Sequence, residues 1–180
     1  MNKTVTREKT DSLLEGSKPR AQSVTSDWTL LCDLIDGVKL KEIRSVVKDN
    51  GYLTEIFRTD WKLDDTPVDQ VFQVVLNPAA VEAWHVHKRT TDRFFVSTGR
   101  AKIVLFDARR DSPTSGQVNE IRVGIERPAI VSVPPGVWHG VENISSQMVV
   151  LLNLVDHAYV YEGPDHWGLP KDTDQIPYSF

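Results

Sequence analysis

After Gly37 the apolar residues fall into short runs separated by turn residues. Val38 to Val47 alternates Leu40, Ile43 and Val46 with charged positions, Asp49-Asn50-Gly51 is a tight-turn sequence, and Tyr52 to Phe57 reads as the returning strand. Further strands are expected at Val71 to Leu76, Val81 to His87, Arg93 to Ser97, Ala101 to Asp107, Glu120 to Ile125, Ala129 to Val133 and Met148 to Val155. The stretch Glu120 to Ile125 alternates cleanly, as a strand with one wet face should. Many short strands at close spacing predict an all-β jelly-roll barrel.

The two ends differ from this pattern. Residues 1–27, rich in Lys, Arg, Ser and Thr without a sustained apolar period, predict a flexible N-terminal arm. The apolar run Trp28 to Ile35 is too short to separate a short helix from an edge segment. From Tyr159 to Phe180, Pro164, Pro170 and Pro177 forbid a long helix, while Trp167, Tyr178 and Phe180 can lie across the barrel as a cover. The predicted organisation is a single barrel domain, 28–180, behind the arm.

Composition narrows the function classes. With 40% apolar and 26% charged residues the chain is an ordinary globular protein. Its 21 basic against 25 acidic side chains give a net charge of -4, which argues against a nucleic-acid surface. Cys32 has no disulfide partner in the chain and no metal spacing; it reads as a small buried apolar residue, and a reducing, cytoplasmic setting is expected. No apolar run suits a membrane span or a signal peptide.

Candidate chemistry concentrates in two stretches. Trp84-His85-Val86-His87 is followed after four residues by Asp92 and after six more by Gly99; Pro134-Pro135-Gly136-Val137-Trp138-His139 ends at Asn143. In a strand, alternate side chains share a face, so His85 and His87 point together. Asp92 has the parity of Phe94 and Val96, and the Pro-Pro-Gly corner can deliver His139 from a distant hairpin. Three imidazoles and a carboxylate form a donor set for a divalent metal, with Zn, Fe, Ni, Mn or Cu all compatible. Trp84, Phe94 and Trp138, each neighbouring a proposed ligand, are expected to wall the pocket. His157 and His166 read as surface or hydrogen-bonded residues of the tail rather than ligands, and Arg109 and Arg110 as part of a turn with salt bridges.

The spacing His-x-His, four residues, acid, six residues, Gly, then Pro-x-Gly-x-x-His-x-x-x-Asn, resembles the paired motifs of the cupin superfamily, with Asp92 where glutamate is usual. From about Val38 to Tyr178 the chain also resembles the dTDP-4-dehydrorhamnose 3,5-epimerases, which are cupin barrels and usually homodimers. The likeness is carried by Asp49 to Glu55, by Asp107-Ala108-Arg109-Arg110-Asp111-Ser112-Pro113-Thr114-Ser115-Gly116, and by Val133 to Gly140. It implies a cupin-type jelly roll, a nucleotide-linked ketosugar as small-molecule substrate, His85 as the base and Glu55 as a substrate contact. The family's arginine, lysine and acid tyrosine fall instead at Glu82, near Asp92 or Arg93, and near Leu152, and its nucleotide-contacting Arg and Phe fall at Asn50 and Leu53. The phenol is then expected from Tyr159 or Tyr161, and an acid orienting His85 from Asp172 or Asp174.

Three functions fit: an isomerase or epimerase of a nucleotide-linked ketosugar, a metal-dependent cupin oxygenase or isomerase of a small acid or sugar, and a non-catalytic cupin that binds a small ligand. The first is the expectation, with a divalent metal on His85, His87, Asp92 and His139 as its cofactor or none at all. A strand-sharing homodimer is the expected assembly.

Overall fold

A computed structural model describes residues 13–27, 31 and 33–180. The chain divides into two compact units, Met1–Asp33 and Leu34–Phe180. In the first, residues 13–27 are exposed except for half-buried Val24 and Thr25. Residues 28–30 and Cys32 lie outside the described residues, and with them the readings of a short helix or edge segment and of a buried thiol. The second unit begins at Leu34 rather than at 28, and Ile35 is its first fully buried residue.

Two five-stranded antiparallel sheets face each other as a jelly roll. The first contains β1 (Lys39–Glu42), β9 (Ala129–Val133), β6 (Asp92–Thr98), β11 (Val149–Val155) and β4 (Gln70–Leu76), in that spatial order. The second is ordered β12 (Trp167–Gly168), β5 (Val81–Val86), β10 (Val137–Asn143), β7 (Arg100–Asp107) and β8 (Val118–Gly124). Inward residues of both, among them Val96, Val131, Ile103, Leu105, Val137 and Leu151, form one buried core. Alternation dictates this: in β10 Val137, His139, Val141 and Asn143 are buried and face in, while Trp138, Gly140 and Glu142 face out.

Two expectations change. The predicted strand from Val38 to Val47 is broken, because the Ile43 N–H donates to the Pro128 carbonyl and the Ile43 side chain is buried with Leu63, Phe95 and Ile130. The chain then restarts as β2 (Val46–Lys48), which pairs with β3 (Gly51–Leu53), shorter than the expected return to Phe57. Conversely, β10 is a strand that the apolar pattern does not predict, since the Pro-Pro-Gly turn and Gly140 obscure its alternation. Gly136 turns there with φ of +82°, a conformation that favours glycine.

Each outer face is covered in part. The segment containing Ile56, Phe57 and Leu63 packs on the first sheet. On the second, Leu169, Ile176, Tyr178 and Phe180 lie over Trp84, Val104, Phe106 and Trp138, the cover expected of Tyr178 and Phe180, whereas Trp167 stays exposed outside it. Gly140 permits this contact: a Cβ there would meet the Ala83 Cβ at 2.5 Å and Phe180 at 2.7 Å. The tail is tied down at Asp165, whose carboxylate accepts the backbone N–H groups of Lys88, Arg89 and Thr90 at 2.9, 2.8 and 3.1 Å. Burial raises its pKa, but these donors outweigh that and hold it at about 2.

Trp84 is fully buried, its ring 5.0 Å from that of Phe180. Trp84→Ala should therefore cost about 3–5 kcal/mol in denaturant unfolding, the range for emptying a large core site; an unchanged midpoint would contradict the packing. For Asp165 the sign follows from a folded-state pKa below the ordinary 3.8. Its contribution is present above about pH 4 and is lost as pH falls towards 2. Asp165→Asn should thus be less stable than wild type at neutral pH, and the gap should close on acidification through that window, as followed by thermal melts.

Candidate active site

Between the sheets lies a cavity of about 470 Å³. Phe72, Val74, Phe94 and Leu151 line its apolar part, and Glu82, His85, His87, Asp92, His139 and His166 its polar part. β5 and β10 bring the histidines together, because their register pairs His139 directly with His85. Asp92, at the start of β6, faces them from the opposite sheet.

Three of these groups converge. His87 Nε2 lies 3.3 Å and His139 Nε2 3.7 Å from Asp92 Oδ2. Each group is oriented from behind: His87 Nδ1 donates to the Asp165 carbonyl, His139 Nδ1 to the Val137 carbonyl at 3.2 Å, and Asn153 Nδ2 to Asp92 Oδ1 at 2.7 Å. A carbonyl only accepts, so each of these Nδ1 atoms carries a proton, and Nε2 is the atom each ring brings near the carboxylate. Burial, against the pull of Asp92, lowers the His139 pKa to about 4, so this ring is neutral at pH 7. His87 Nε2, the Nε2 of neutral His139 and an Asp92 oxygen are close enough together to be able to hold a cation, and outer hydrogen bonds on every ligand are the usual support of a metal centre.

His85 stands apart from that triad. Its Nδ1 is 3.0 Å from His166 Nε2 and its Nε2 3.1 Å from Glu82 Oε1. The expected four-ligand set is therefore reduced to His87, Asp92 and His139, whose ligand atoms lie within 4.8 Å of one another. A bulge explains how Glu82 reaches His85. Between the pairs His139 with His85 and Val141 with Glu82, β5 sets two residues, Ala83 and Trp84, against the single Gly140 of β10. The extra residue returns Glu82 to the cavity side while Ala83 and Trp84 face out.

The other expected site residues divide. Phe94 lines the cavity with its ring 5.4 Å from that of His139, and half-exposed Tyr159 borders it beside Tyr161. Trp84 and Trp138 do not: each alternates with a site histidine along its strand and so points to the outer face. Glu55 is also absent from the lining and pairs with Arg58 at 3.2 Å. Asp172 and Asp174 do not reach His85, whose partners are Glu82 and His166. Arg93, although it follows Asp92, turns the other way into a buried ion pair with Asp64. Arg109 completes the Asp107 turn, with Ser112 and Thr114 on the same carboxylate.

Sequence reasoning passes over His166, Asp165 and Asn153. The first two lie in the proline-rich tail, where no periodicity marks a direction. Asn153 leaves a trace, a lone amide with inward parity in the apolar run of β11.

Comparison with known proteins agrees with this fold. Residues 47–167 match the model of the polysaccharide biosynthesis C-terminal domain. The chain is 31% identical over 139 residues to the probable low-salt glycan biosynthesis epimerase Agl13 of Haloferax volcanii, covering 77% of this chain and 89% of that one. Among solved structures, a dTDP sugar isomerase from Desulfovibrio desulfuricans superposes with a TM-score of 0.76 at 26% identity, over 81% of this chain and 91% of the other. The dTDP-4-dehydrorhamnose 3,5-epimerase of Bacillus anthracis shares the fold with a TM-score of 0.72 at 20% identity, over 83% and 88% of the two chains. The inward histidines on a cupin-type jelly roll and these likenesses agree: the chain belongs to the polysaccharide biosynthesis C-terminal domain family and shares the fold of the dTDP-4-dehydrorhamnose 3,5-epimerases.

Proposed function

We propose that the protein is an epimerase or isomerase of a nucleotide-linked ketosugar, with His85 as the base. The reading rests on one observation above all: an imidazole held by His166 on one nitrogen and by an exposed carboxylate on the other shares a cavity with three convergent polar groups. Its relatives named as a sugar epimerase and a dTDP sugar isomerase support it. His85 removes a proton beside the sugar ketone, leaving an enolate. Tyr159, bordering the same cavity, supplies the phenol that returns a proton from the other face. The apolar wall at Phe72, Phe94 and Leu151 packs against the sugar and excludes water.

His87, Asp92 and His139 are the residues that would hold a divalent ion, and their donor set suits zinc, iron, nickel or manganese. Such an ion supplies Lewis acidity to an enolate oxygen, the task for which related enzymes use a lysine. Arg93 cannot take that task, being buried against Asp64. We also propose a cytoplasmic homodimer. The free edge of β4 in its sheet and the exposed Val71 and Val75 on its outer face support the dimer. Among the described residues no helix is long and apolar enough to cross a membrane.

With dTDP-4-dehydrorhamnose as probe in deuterated water, wild type should exchange the protons flanking the ketone, and His85→Ala should slow this by about 10²–10⁴-fold. Tyr159→Phe should retain exchange at one face and lose the inverted product. Elemental analysis of the same preparations should find a divalent metal in wild type and its loss in His87→Ala; full activity in metal-free protein would remove the ion from the mechanism. For the assembly, sedimentation should give a dimer for wild type and a monomer for the Val71→Lys, Val75→Lys double variant.

A further inference from the structure

We infer that His166 is the relay partner of His85, carrying the proton between its second ring nitrogen and water. This deepens the reading of His85 as the base and rests on it.

The hydrogen-bond chain runs Glu82, His85, His166, with separations of 3.1 and 3.0 Å. A carboxylate only accepts, so His85 Nε2 carries a proton. The neutral tautomer of His85 with that proton has its lone pair on Nδ1 and accepts there from His166 Nε2. Both nitrogens of His85 are thus occupied, and a substrate can reach the ring only by replacing one partner.

Glu82 is the partner free to leave, since its side chain is 56% exposed and His85 is its one hydrogen-bond partner among the described residues. His166 is held from both sides. Before it, Asp165 is locked to the turn after β5 by three backbone N–H groups and the Thr90 hydroxyl. After it, Trp167 and Gly168 pair with Val86 and His85 as β12, and Lys88 Nζ sits 4.1 Å over the Trp167 ring. The chain therefore delivers His166 to the far nitrogen of His85 by main-chain structure, while its ring remains exposed to solvent.

The proton steps balance. With Glu82 displaced, the working pair has its protons on His85 Nδ1 and His166 Nδ1. The substrate C–H bond breaks, its electrons pass to the ketone oxygen, and its proton goes to His85 Nε2. The His85 Nδ1 proton moves to His166 Nε2, and the His166 Nδ1 proton leaves to water. The neutral pair that results, protonated at Nε2 on both rings, is the arrangement imposed by Glu82 in the structure. After Tyr159 has protonated the other face, the pair regains its working form when His166 Nδ1 takes a proton from water, His166 Nε2 passes its proton to His85 Nδ1, and His85 Nε2 releases its proton to water. His166 acts through His85 and so is a positioning and relay residue.

Two measurements test this. On the substrate-free chain, nitrogen-15 imidazole spectra should assign His85 to one tautomer with Nδ1 as acceptor, and His166→Ala should mix its tautomers; a His85 signal indifferent to His166 would overturn the pairing. In the exchange reaction on dTDP-4-dehydrorhamnose in deuterated water, His166→Ala should lower the rate by about tenfold or more with KM within about twofold and an unchanged melting midpoint. His166→Gln, which can hold the ring but cannot pass a proton, should be as slow. Added imidazole should restore His166→Ala and not His85→Ala. A glutamine variant at the wild-type rate, or no rescue by imidazole, would overturn the relay. If His85→Ala keeps wild-type exchange, or wild type exchanges nothing into this probe, the base or ketosugar reading falls, while the nitrogen spectra still decide the pairing.

Discussion

The site depends on the register between β5 and β10. One pairing, His139 opposite His85, puts imidazoles from two remote stretches of chain on the same face of one sheet. A slip by a single residue would turn either strand over, send its histidines to the outer face and bring Trp84 or Trp138 into the cavity. The bulge beside that pair adds the second element of the arrangement by returning Glu82 to the side of His85. What holds the register is packing on both faces: the common core inside, and the layer of Trp84, Ile176, Tyr178 and Phe180 outside. Large apolar residues on the back of the sheet therefore serve the site without touching it.

Inside the cavity the governing fact is the burial of polar groups at close range. Asp92 is 2% exposed and His139 5%, and the Nε2 atoms of His87 and His139 lie 3.3 and 3.7 Å from the carboxylate. In water such an arrangement would relax, but here Asn153, Val137 and Asp165 hold each group from behind. Such backing fixes the three groups relative to one another. The second polar group, Glu82 with His85 and His166, is wetter and more loosely held at its Glu82 end. Two neighbouring sets of imidazoles thus differ in character, one dry and convergent, the other linear and open to solvent.

The tail joins these two sets. Asp165 gives its carbonyl to His87 and its carboxylate to the turn before β6, and the next residue is His166. Anchoring by backbone donors keeps this segment in place at neutral pH without an apolar core of its own. The cover on the outer face and the wall of the cavity are consecutive parts of one strap.

Much of this is legible in the amino-acid sequence alone. Period-two alternation predicts the strands, the shared face of His85 and His87 and the inward parity of Asp92 and Phe94, because in a strand side-chain direction is local. Proline density and aromatics predict the covering tail for an equally local reason. Other features are decided only by tertiary structure. The bulge in β5 breaks the alternation and sets Glu82 beside His85, and a bulge is defined by what the partner strand does. The proline-rich tail has no period, so the arrival of His166 and Asp165 follows from where their hydrogen-bond partners lie in space. Trp84 and Trp138 are a different case: alternation by itself turns them away from the cavity, nearness in sequence to the histidines suggests otherwise, and packing against the tail decides for alternation. Side-chain direction along a strand belongs to the chain itself, whereas the identity of the group it meets belongs to the fold.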